Sequence, residues 1–159
     1  MEKFINHVDH VAWLVRPENL EEQVALLEKI TGATLRRFSR ADMGFTMCIS
    51  WAAGLEVVSP HEKRTDFNSW LWSELETKGE GITSVVFGVR DLYWHKDRLE
   101  KMGIPVGPLM DDHPDSPWHD ELRLWERAVG QQVMNTNIIL GDIDYKNGLI
   151  PFGPSDRED

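Results

Sequence analysis

The first part of the chain alternates between strand-like and helix-like patterns of apolar residues. Residues 5–15 are rich in valine, which predicts a strand, and apolar residues then recur at helical spacing until Gly32 ends the helix. Further strands are expected at 33–39, 44–51 and 54–59. The segment therefore predicts a β-α-β-β-β unit.

A second unit with the same order of elements is expected after a connecting helix over 65–78. Its first strand, at 82–89, leads into a helix that begins after the favourable N-cap Asp91 and ends at Gly103. Later strands are predicted from Val106, over 133–140 and over 149–152. The second unit also contains an insertion, Asp111–Glu121, which is followed by an amphipathic stretch with Leu122, Trp125 and Val129. An insertion of this length in a small domain favours a lid or a binding loop.

The residues repeat together with the pattern, which indicates an internal duplication. The strand that opens each unit matches its counterpart, except that His10 is replaced by Ser84. The last predicted strand of each unit also matches, except that Glu56 is replaced by Ile150. Function is therefore expected at His10 and Glu56, the polar residues that do not repeat.

The length of 159 residues predicts one domain. Its expected parts are module one at 1–64, a linker helix at 65–80, module two at 81–154 and a flexible charged tail at 155–159. The net charge of −10 argues against nucleic acid as a partner, because phosphate backbones attract clustered Lys and Arg. No apolar run approaches the length of a membrane span, and nothing resembles a signal peptide. The single cysteine, Cys48, permits no intrachain disulfide, so we expect a cytoplasmic protein that acts on a small molecule.

Two tandem modules of this kind resemble the vicinal oxygen chelate superfamily of glyoxalases, extradiol dioxygenases and bleomycin-resistance proteins. The best local matches are Val8-Asp-His10-Val-Ala in the first strand, Leu55–Pro60 in the fourth, and Gly79-Glu-Gly-Ile82 leading into the fifth. The resemblance implies an α+β fold in which two tandem βαβββ modules curl their mixed sheets into an open cup, with the helices outside.

The same resemblance implies a divalent metal, held by a His on the first strand and a Glu on the fourth strand of each module. In this chain it places His10 and Glu56 at two ligand positions, Ser84 at the third, and Ile150 or Pro151 at the fourth. Imidazole and carboxylate suit Fe²⁺, Mn²⁺, Ni²⁺ or Zn²⁺, whereas serine is a poor ligand and the last two residues offer no side-chain ligand. We therefore expect either a reduced metal site, completed by His113 or His119 of the insertion, or no metal.

Each main candidate also has a purely structural interpretation. His10 lies in an apolar strand, where an imidazole can be a hydrogen-bonded core residue, a metal ligand or a proton shuttle. Glu56 is expensive to bury without a partner. In the structural interpretation, Glu56 forms a salt bridge with Arg36 or Arg37 on a neighbouring strand. In the functional interpretation, it is a metal ligand or a general base.

The remaining predicted contacts to the substrate are polar groups of the strands and the insertion. They are Ser84, Thr46, Cys48 and Ser50 as weak hydrogen-bonding groups, and Trp118 and His119 above the cup. Ordinary strand alternation is the alternative explanation for the strand residues. Trp51, in contrast, is expected to face the helices.

The function expected from these residues is an enzyme of the glyoxalase and dioxygenase superfamily. A lyase, isomerase or ring-modifying reaction on an oxygenated organic substrate fits best, with Glu56 and His10 as catalytic residues. The alternative is a metal-free binding protein of the resistance type, which sequesters a flat or cationic compound. A homodimer is also expected, since the superfamily commonly forms dimers.

Overall fold

Two antiparallel strands form the centre of the protein, and the computed structural model describes residues 7–146 around them. These central strands are β1 (His7–Leu14) and β5 (Gly81–Gly88). The other strands are β2 (Arg36–Arg40), β3 (Phe45–Ser50), β4 (Leu55–Pro60), β6 (Met110–Asp111), β7 (Leu122–Ala128) and β8 (Asn137–Tyr145). The helices are α1 (Leu20–Thr31), α2 (Asp66–Lys78) and α3 (Leu92–Lys101).

The sheet has the same arrangement on both sides of its centre. Its strand order is β2-β3-β4-β1-β5-β8-β7-β6. β4 runs parallel to β1, just as β8 runs parallel to β5, and each of these outer strands has an antiparallel neighbour, β3 or β7. The predicted α+β fold with two tandem β-α-β-β-β modules and a cup-shaped sheet is thereby confirmed.

Two helices, α1 and α3, cover the outer face of the sheet with apolar side chains, whereas α2 packs on the concave face beside Phe45 and Met47, so the expectation of helices outside holds for α1 and α3 and not for α2. α1 packs Leu20 against a cluster that includes Val15, Leu35, Cys48 and Val57. α3 contributes Leu92 and Leu99 to a second cluster, and α2 contributes Leu71 and Leu75 to a third. Within residues 7–146, no helix is long and apolar enough to cross a bilayer.

The later strands of the second module differ from the prediction. The stretch after the insertion, expected to be only amphipathic, forms the strand β7, and Val106 makes an isolated bridge to Val129 instead of beginning a strand. β8 occupies the place of a fourth strand, because it pairs with β5 as β4 pairs with β1. The match of Glu56 with Ile150 is therefore wrong. Ile150 and Pro151 lie outside the described residues.

Register identifies the true counterpart of Glu56. Glu56 is paired with Ala12, two residues after His10, and Ile139 is paired with Val86, two residues after Ser84. Ile139 therefore occupies the position in module two that Glu56 has in module one. The prediction that module two has no carboxylate at this position is correct, but the apolar residue found there is Ile139 and not Ile150.

The turn before β4 brings the backbone unusually close to β1. Gly54 has a φ of +66°, and a Cβ at this position would lie 2.7 Å from the carbonyl oxygen of Asp9. Gly54 also accepts a hydrogen bond from the amide of Val11 at 3.0 Å. Only glycine fits here without displacing the strand that carries Asp9 and His10.

We predict that Gly54→Ala destabilises the protein more than Gly32→Ala, as measured by urea unfolding. Both glycines have positive φ, so each alanine costs about 1 kcal/mol for backbone strain. At Gly32 nothing lies within 4 Å of the added methyl, whereas at Gly54 the overlap with Asp9 adds on the order of 1–3 kcal/mol. Equal losses in the two variants would contradict this role of Gly54.

Candidate functional site

The concave side of the sheet borders a cavity of about 380 Å³ that is partly open to solvent. Its wall is mostly apolar and aromatic, with residues from both modules and from α2. The wall includes Phe38, Phe45, Met47, Trp51, Phe67, Trp70, Trp118, Leu124 and Ile139. Among this apolar surface lie a few polar groups. His10, Glu56 and Glu126 are ionisable and belong to three different strands, and the other ionisable side chains of the wall are Arg40, Asp111, Asp112 and His113. A small number of polar groups in an apolar cavity is typical of a small-molecule site.

His10 and the preceding Asp9 are both buried, although neighbours in a regular strand point to opposite faces. The pairing of β1 with β5 shifts register between Val8 and His10, and this irregularity accommodates both side chains. His10 Nδ1 lies 2.7 Å from Asp9 Oδ1, and His10 Nε2 lies 3.3 Å from Glu56 Oε2. One imidazole is thus held between two carboxylates.

This arrangement favours the charged form of His10. Burial alone would lower its pKa, but the hydrogen bonds with Asp9 and Glu56 outweigh that effect and raise the pKa to about 10. At neutral pH the imidazolium donates a hydrogen bond from Nδ1 to Asp9, and its Nε2 forms an ion pair with Glu56. Glu56 is therefore the partner of His10, and not of Arg36 or Arg37, which bind Glu121 and Glu21.

Two further side chains hold Asp9 in place. The hydroxyl of Tyr145, on β8, lies 2.8 Å from both carboxylate oxygens of Asp9, and His7 Nε2 lies 3.2 Å from Oδ2. Burial of Asp9 would raise its pKa, but the hydrogen bond from His10 and the other contacts lower it below its usual value. The result is a buried polar chain, Tyr145–Asp9–His10–Glu56, that crosses from module two to module one.

Glu126, on β7, is a functional candidate that the sequence analysis missed. It lines the cavity, and its Oε1 is buried and accepts no hydrogen bond from any residue between 7 and 146. Burial raises the pKa of Glu126 to about 7; the charge of His10 opposes this rise, and those of Glu56 and Asp9 add to it. The strand pattern Leu122, Leu124, Glu126, Ala128 offered a signal, because one carboxylate interrupts an apolar face.

An insertion loop, residues 112–121, closes one side of the cavity. Arg36 on β2 binds both the carbonyl of Pro117 and the carboxylate of Glu121, so module one fastens the loop. Trp118 is buried and contacts the rings of Phe38 and Trp51 at centroid distances of 5.6 and 5.5 Å. Within the loop, Asp112 binds His119 Nδ1 at 2.6 Å and the hydroxyl of Ser116 at 3.0 Å.

The predicted contact residues divide into two groups. Ser84 and Trp118 line the cavity, as does His113, which lies near the ring of Phe38. Thr46, Cys48, Ser50 and His119 are not part of the described wall. Cys48 packs beneath α1, Thr46 binds His61, and His119 is held by Asp112.

The orientation of β3 explains the error at three of these positions. Its apolar face, with Phe45, Met47 and then Trp51, forms the cavity wall, so Trp51 does not face the helices. Thr46, Cys48 and Ser50 alternate with these residues and point away. Both faces of β3 contact protein, and alternation alone does not tell which of them faces the cup.

The donor groups at the superfamily's metal position do not fit a divalent ion. Module one provides two donors there, His10 and Glu56, and these two side chains pair with each other at 3.3 Å. Ser84 and Ile139 occupy the corresponding strands of module two. Between residues 7 and 146, no group of three or more His, Cys, Asp or Glu side chains is placed to hold a metal.

Together, the paired modules, the curled sheet and the internal cavity define the vicinal oxygen chelate fold. Methylmalonyl-CoA epimerase from Mycobacterium tuberculosis has a similar structure, with a TM-score of 0.65 and 14% sequence identity over 89% of this chain and 90% of that one. The Streptomyces coelicolor methylmalonyl-CoA epimerase, solved with 2-nitronate-propionyl-CoA, gives 0.59 and 16% over 86% and 96%. A hypothetical protein from Bacillus halodurans gives 0.58 and 12% over 85% and 92%. At these identities the likeness establishes the fold. No protein-family model and no curated protein sequence matches the chain.

We predict that Glu126→Gln stabilises the protein at pH 8 but not at pH 4. The carboxyl has a pKa of about 7 in the folded protein and 4.5 when unperturbed, so the folded state disfavours its ionised form. Below pH 4.5 both states are protonated and the cost is absent; it grows as the pH rises to 7 and then stays constant. A shift of this size corresponds to on the order of 3 kcal/mol.

Urea unfolding of both proteins across this pH range measures the difference. Glu62→Gln, at an exposed position, is the matched control and should leave stability unchanged at every pH. A constant difference between the Glu126→Gln variant and the unmodified protein would contradict the burial of an ionisable carboxyl.

We also predict that Fe²⁺, Mn²⁺, Ni²⁺ or Zn²⁺ leaves the melting temperature of the purified, chelator-treated protein unchanged. A resident metal at a hundred times its dissociation constant would add about 2.7 kcal/mol of stability. A clear rise in melting temperature that disappears in the His10→Gln variant would show that the cavity binds a metal after all.

Proposed function

We propose that the protein catalyses metal-independent proton transfer at a carbon atom next to a carbonyl group of a small organic molecule. The observation that carries this proposal is Glu126, in the wall of a mostly apolar cavity, whose buried Oε1 accepts no hydrogen bond from residues 7–146. Its pKa of about 7 suits a general base at physiological pH, which must be deprotonated yet still basic.

The other charged groups of the cavity provide what such a reaction needs. Ionised Glu126 removes the proton from carbon, and the electron pair of the broken bond moves onto the carbonyl oxygen to form an enolate. The His10 imidazolium supplies positive charge near this developing negative charge, in surroundings where water does not weaken it. Asp9 and Tyr145 hold the imidazole in position and are positioning residues.

A second carboxylate lies on the other side of the central strands. Glu56 is on β4 of module one and Glu126 on β7 of module two, so the two flank the β1–β5 pair in the sheet order. Return of a proton from the Glu56–His10 pair, instead of from Glu126, would invert the carbon. The structural neighbours include epimerases, and epimerisation next to a carbonyl is a proton transfer of this type. An isomerase is therefore favoured over a lyase or a ring-modifying enzyme.

A ligand-sequestering protein is the second candidate. The aromatic wall formed by Phe38, Trp51, Trp70 and Trp118 supports it, because flat molecules pack well against such rings. The two functions differ in turnover. An enzyme converts many equivalents of a reactive probe, whereas a sequestering protein binds one equivalent and leaves it unchanged. The homodimer expected from the superfamily remains part of the proposal for either function.

We predict that the protein accelerates the ring opening of 5-nitrobenzisoxazole, a flat probe for carbon deprotonation. A base removes the proton on carbon, the N–O bond breaks, and a nitrile and a coloured phenolate form. The value of kcat/KM should rise with pH and level off above about pH 7, where Glu126 is ionised. Glu126→Gln should lower it about 100-fold or more, the usual contribution of a general base.

Two variants control this experiment. Glu62→Gln removes an exposed carboxylate and should leave the profile unchanged. His10→Gln removes the positive charge that lowers the pKa of Glu126, so the midpoint of the profile should move to higher pH. The proposal fails if the unmodified protein and the Glu126→Gln variant, both shown to bind the probe, react at the same rate.

A further inference from the structure

Three residues of the cavity wall carry buried hydrogen-bonding groups that no residue between 7 and 146 satisfies. The indole N–H groups of Trp51 and Trp118 are buried, and neither donates a hydrogen bond to any residue between 7 and 146. Glu126 Oε1, in the same wall, is an acceptor that receives none. Because buried polar groups in folded proteins nearly always have partners, three exceptions around one cavity indicate that a ligand provides them.

The three groups specify which atoms the ligand must offer. Indole N–H only donates, so each tryptophan requires an acceptor oxygen or nitrogen on the ligand. An ionised Glu126 only accepts, so it requires a donor such as a hydroxyl. The two indoles are neighbours, with ring centroids 5.5 Å apart, and Trp51 also lies 5.3 Å from the imidazole of His10. One carbonyl group bound in this region would therefore lie close to the imidazolium.

The charges around the cavity limit the net charge of the ligand. The single positive charge of His10 is already shared between Asp9 and Glu56, at 2.7 and 3.3 Å, and Glu126 adds further negative charge. Arg40, at the wall, donates two hydrogen bonds to Asp42, at 3.0 and 2.8 Å. An anionic ligand would meet this excess of carboxylates. A cationic group could pair with Glu126. A cation that bears only hydrogen-bond donors, however, would leave the indole N–H groups of Trp51 and Trp118 without an acceptor.

We propose that the ligand is a neutral, flat and mainly apolar molecule that carries a carbonyl oxygen and a hydroxyl group. The carbonyl accepts from the indoles of Trp51 and Trp118. The hydroxyl donates to Glu126 Oε1, which leaves the second carboxylate oxygen to take the proton from the carbon next to the carbonyl. The aromatic side chains around a volume of about 380 Å³ suit a molecule of two fused or linked rings. This inference rests on the proposed function, since it assigns the substrate class of the same site.

The test uses four matched two-ring probes and isothermal titration calorimetry with the full chain at pH 7. 4-Hydroxybenzophenone has both groups, benzophenone lacks the hydroxyl, 4-benzylphenol lacks the carbonyl, and 4-benzoylbenzoate is an anion. We expect 4-hydroxybenzophenone to bind about 10-fold more tightly than each of the others, because each loses a hydrogen bond or gains repulsion. This comparison requires no mutation.

Two variants identify the donors. Trp118→Phe and Trp51→Phe retain an aromatic ring but remove the N–H, so each should weaken 4-hydroxybenzophenone about 10-fold and leave 4-benzylphenol unchanged. The inference is overturned if 4-benzylphenol or 4-benzoylbenzoate binds as well as 4-hydroxybenzophenone, if none of the probes binds, or if both variants weaken all probes equally.

These outcomes are separable from the test of the proposed function. Proton transfer that depends on Glu126, without the expected order of affinities, would reject this ligand class and keep the enzyme. The expected order of affinities without any turnover of 5-nitrobenzisoxazole would keep the ligand class and favour a sequestering protein.

Discussion

The pairing of the His10 imidazolium with Asp9 and Glu56 is the constraint on which the site depends. A charged imidazole is unfavourable inside a protein unless carboxylates surround it, and here each ring nitrogen has one, at 2.7 and 3.3 Å. The irregularity in β1 accommodates the buried side chain of Asp9 beside that of His10. Gly54 has no Cβ, so the turn before β4 does not clash with the carbonyl of Asp9. Removing either carboxylate would leave a buried charge only partly compensated, so backbone geometry and electrostatics are coupled here.

The two modules share a frame but contribute different chemistry. Module one supplies the ion pair of His10 and Glu56, while the corresponding strands of module two carry Ser84 and Ile139. Module two supplies Glu126, Trp118 and Tyr145 instead. The duplicated sheet therefore fixes where side chains meet, and the differences between the copies decide what they do. Acid–base chemistry needs groups whose surroundings push their pKa values apart, and His10 of module one and Glu126 of module two are such groups.

The fold followed from local patterns in the sequence, because strand and helix periodicity, the stop at Gly32 and the cap at Asp91 act over a few residues. The prediction of His10, Glu56 and a closing Trp118 as inward-facing residues also rested on the order of the modules. The rest required three-dimensional information. Tyr145 reaches Asp9 over 136 positions, and no pattern in the sequence connects them. Alternation in β3 was visible, but both of its faces pack against protein, so Trp51 was placed outside and Cys48 inside. The sequence analysis does not identify β7, because this strand directly follows the insertion loop, and the insertion interrupts the alignment of the second module with the first.

The insertion loop links the base strength of Glu126 to a residue in the other module. Burial is the main reason that the pKa of Glu126 rises, and Trp118 of the loop belongs to the wall of the same cavity. The loop is fastened by Arg36, which binds Pro117 and Glu121 from β2. If the loop opens, water reaches Glu126, the pKa falls toward its ordinary value, and the carboxylate becomes a weaker base. The same opening would admit a ligand. A ligand bound against the fastened loop would likewise keep water from Glu126, and apolar surroundings of this kind favour proton transfer from carbon.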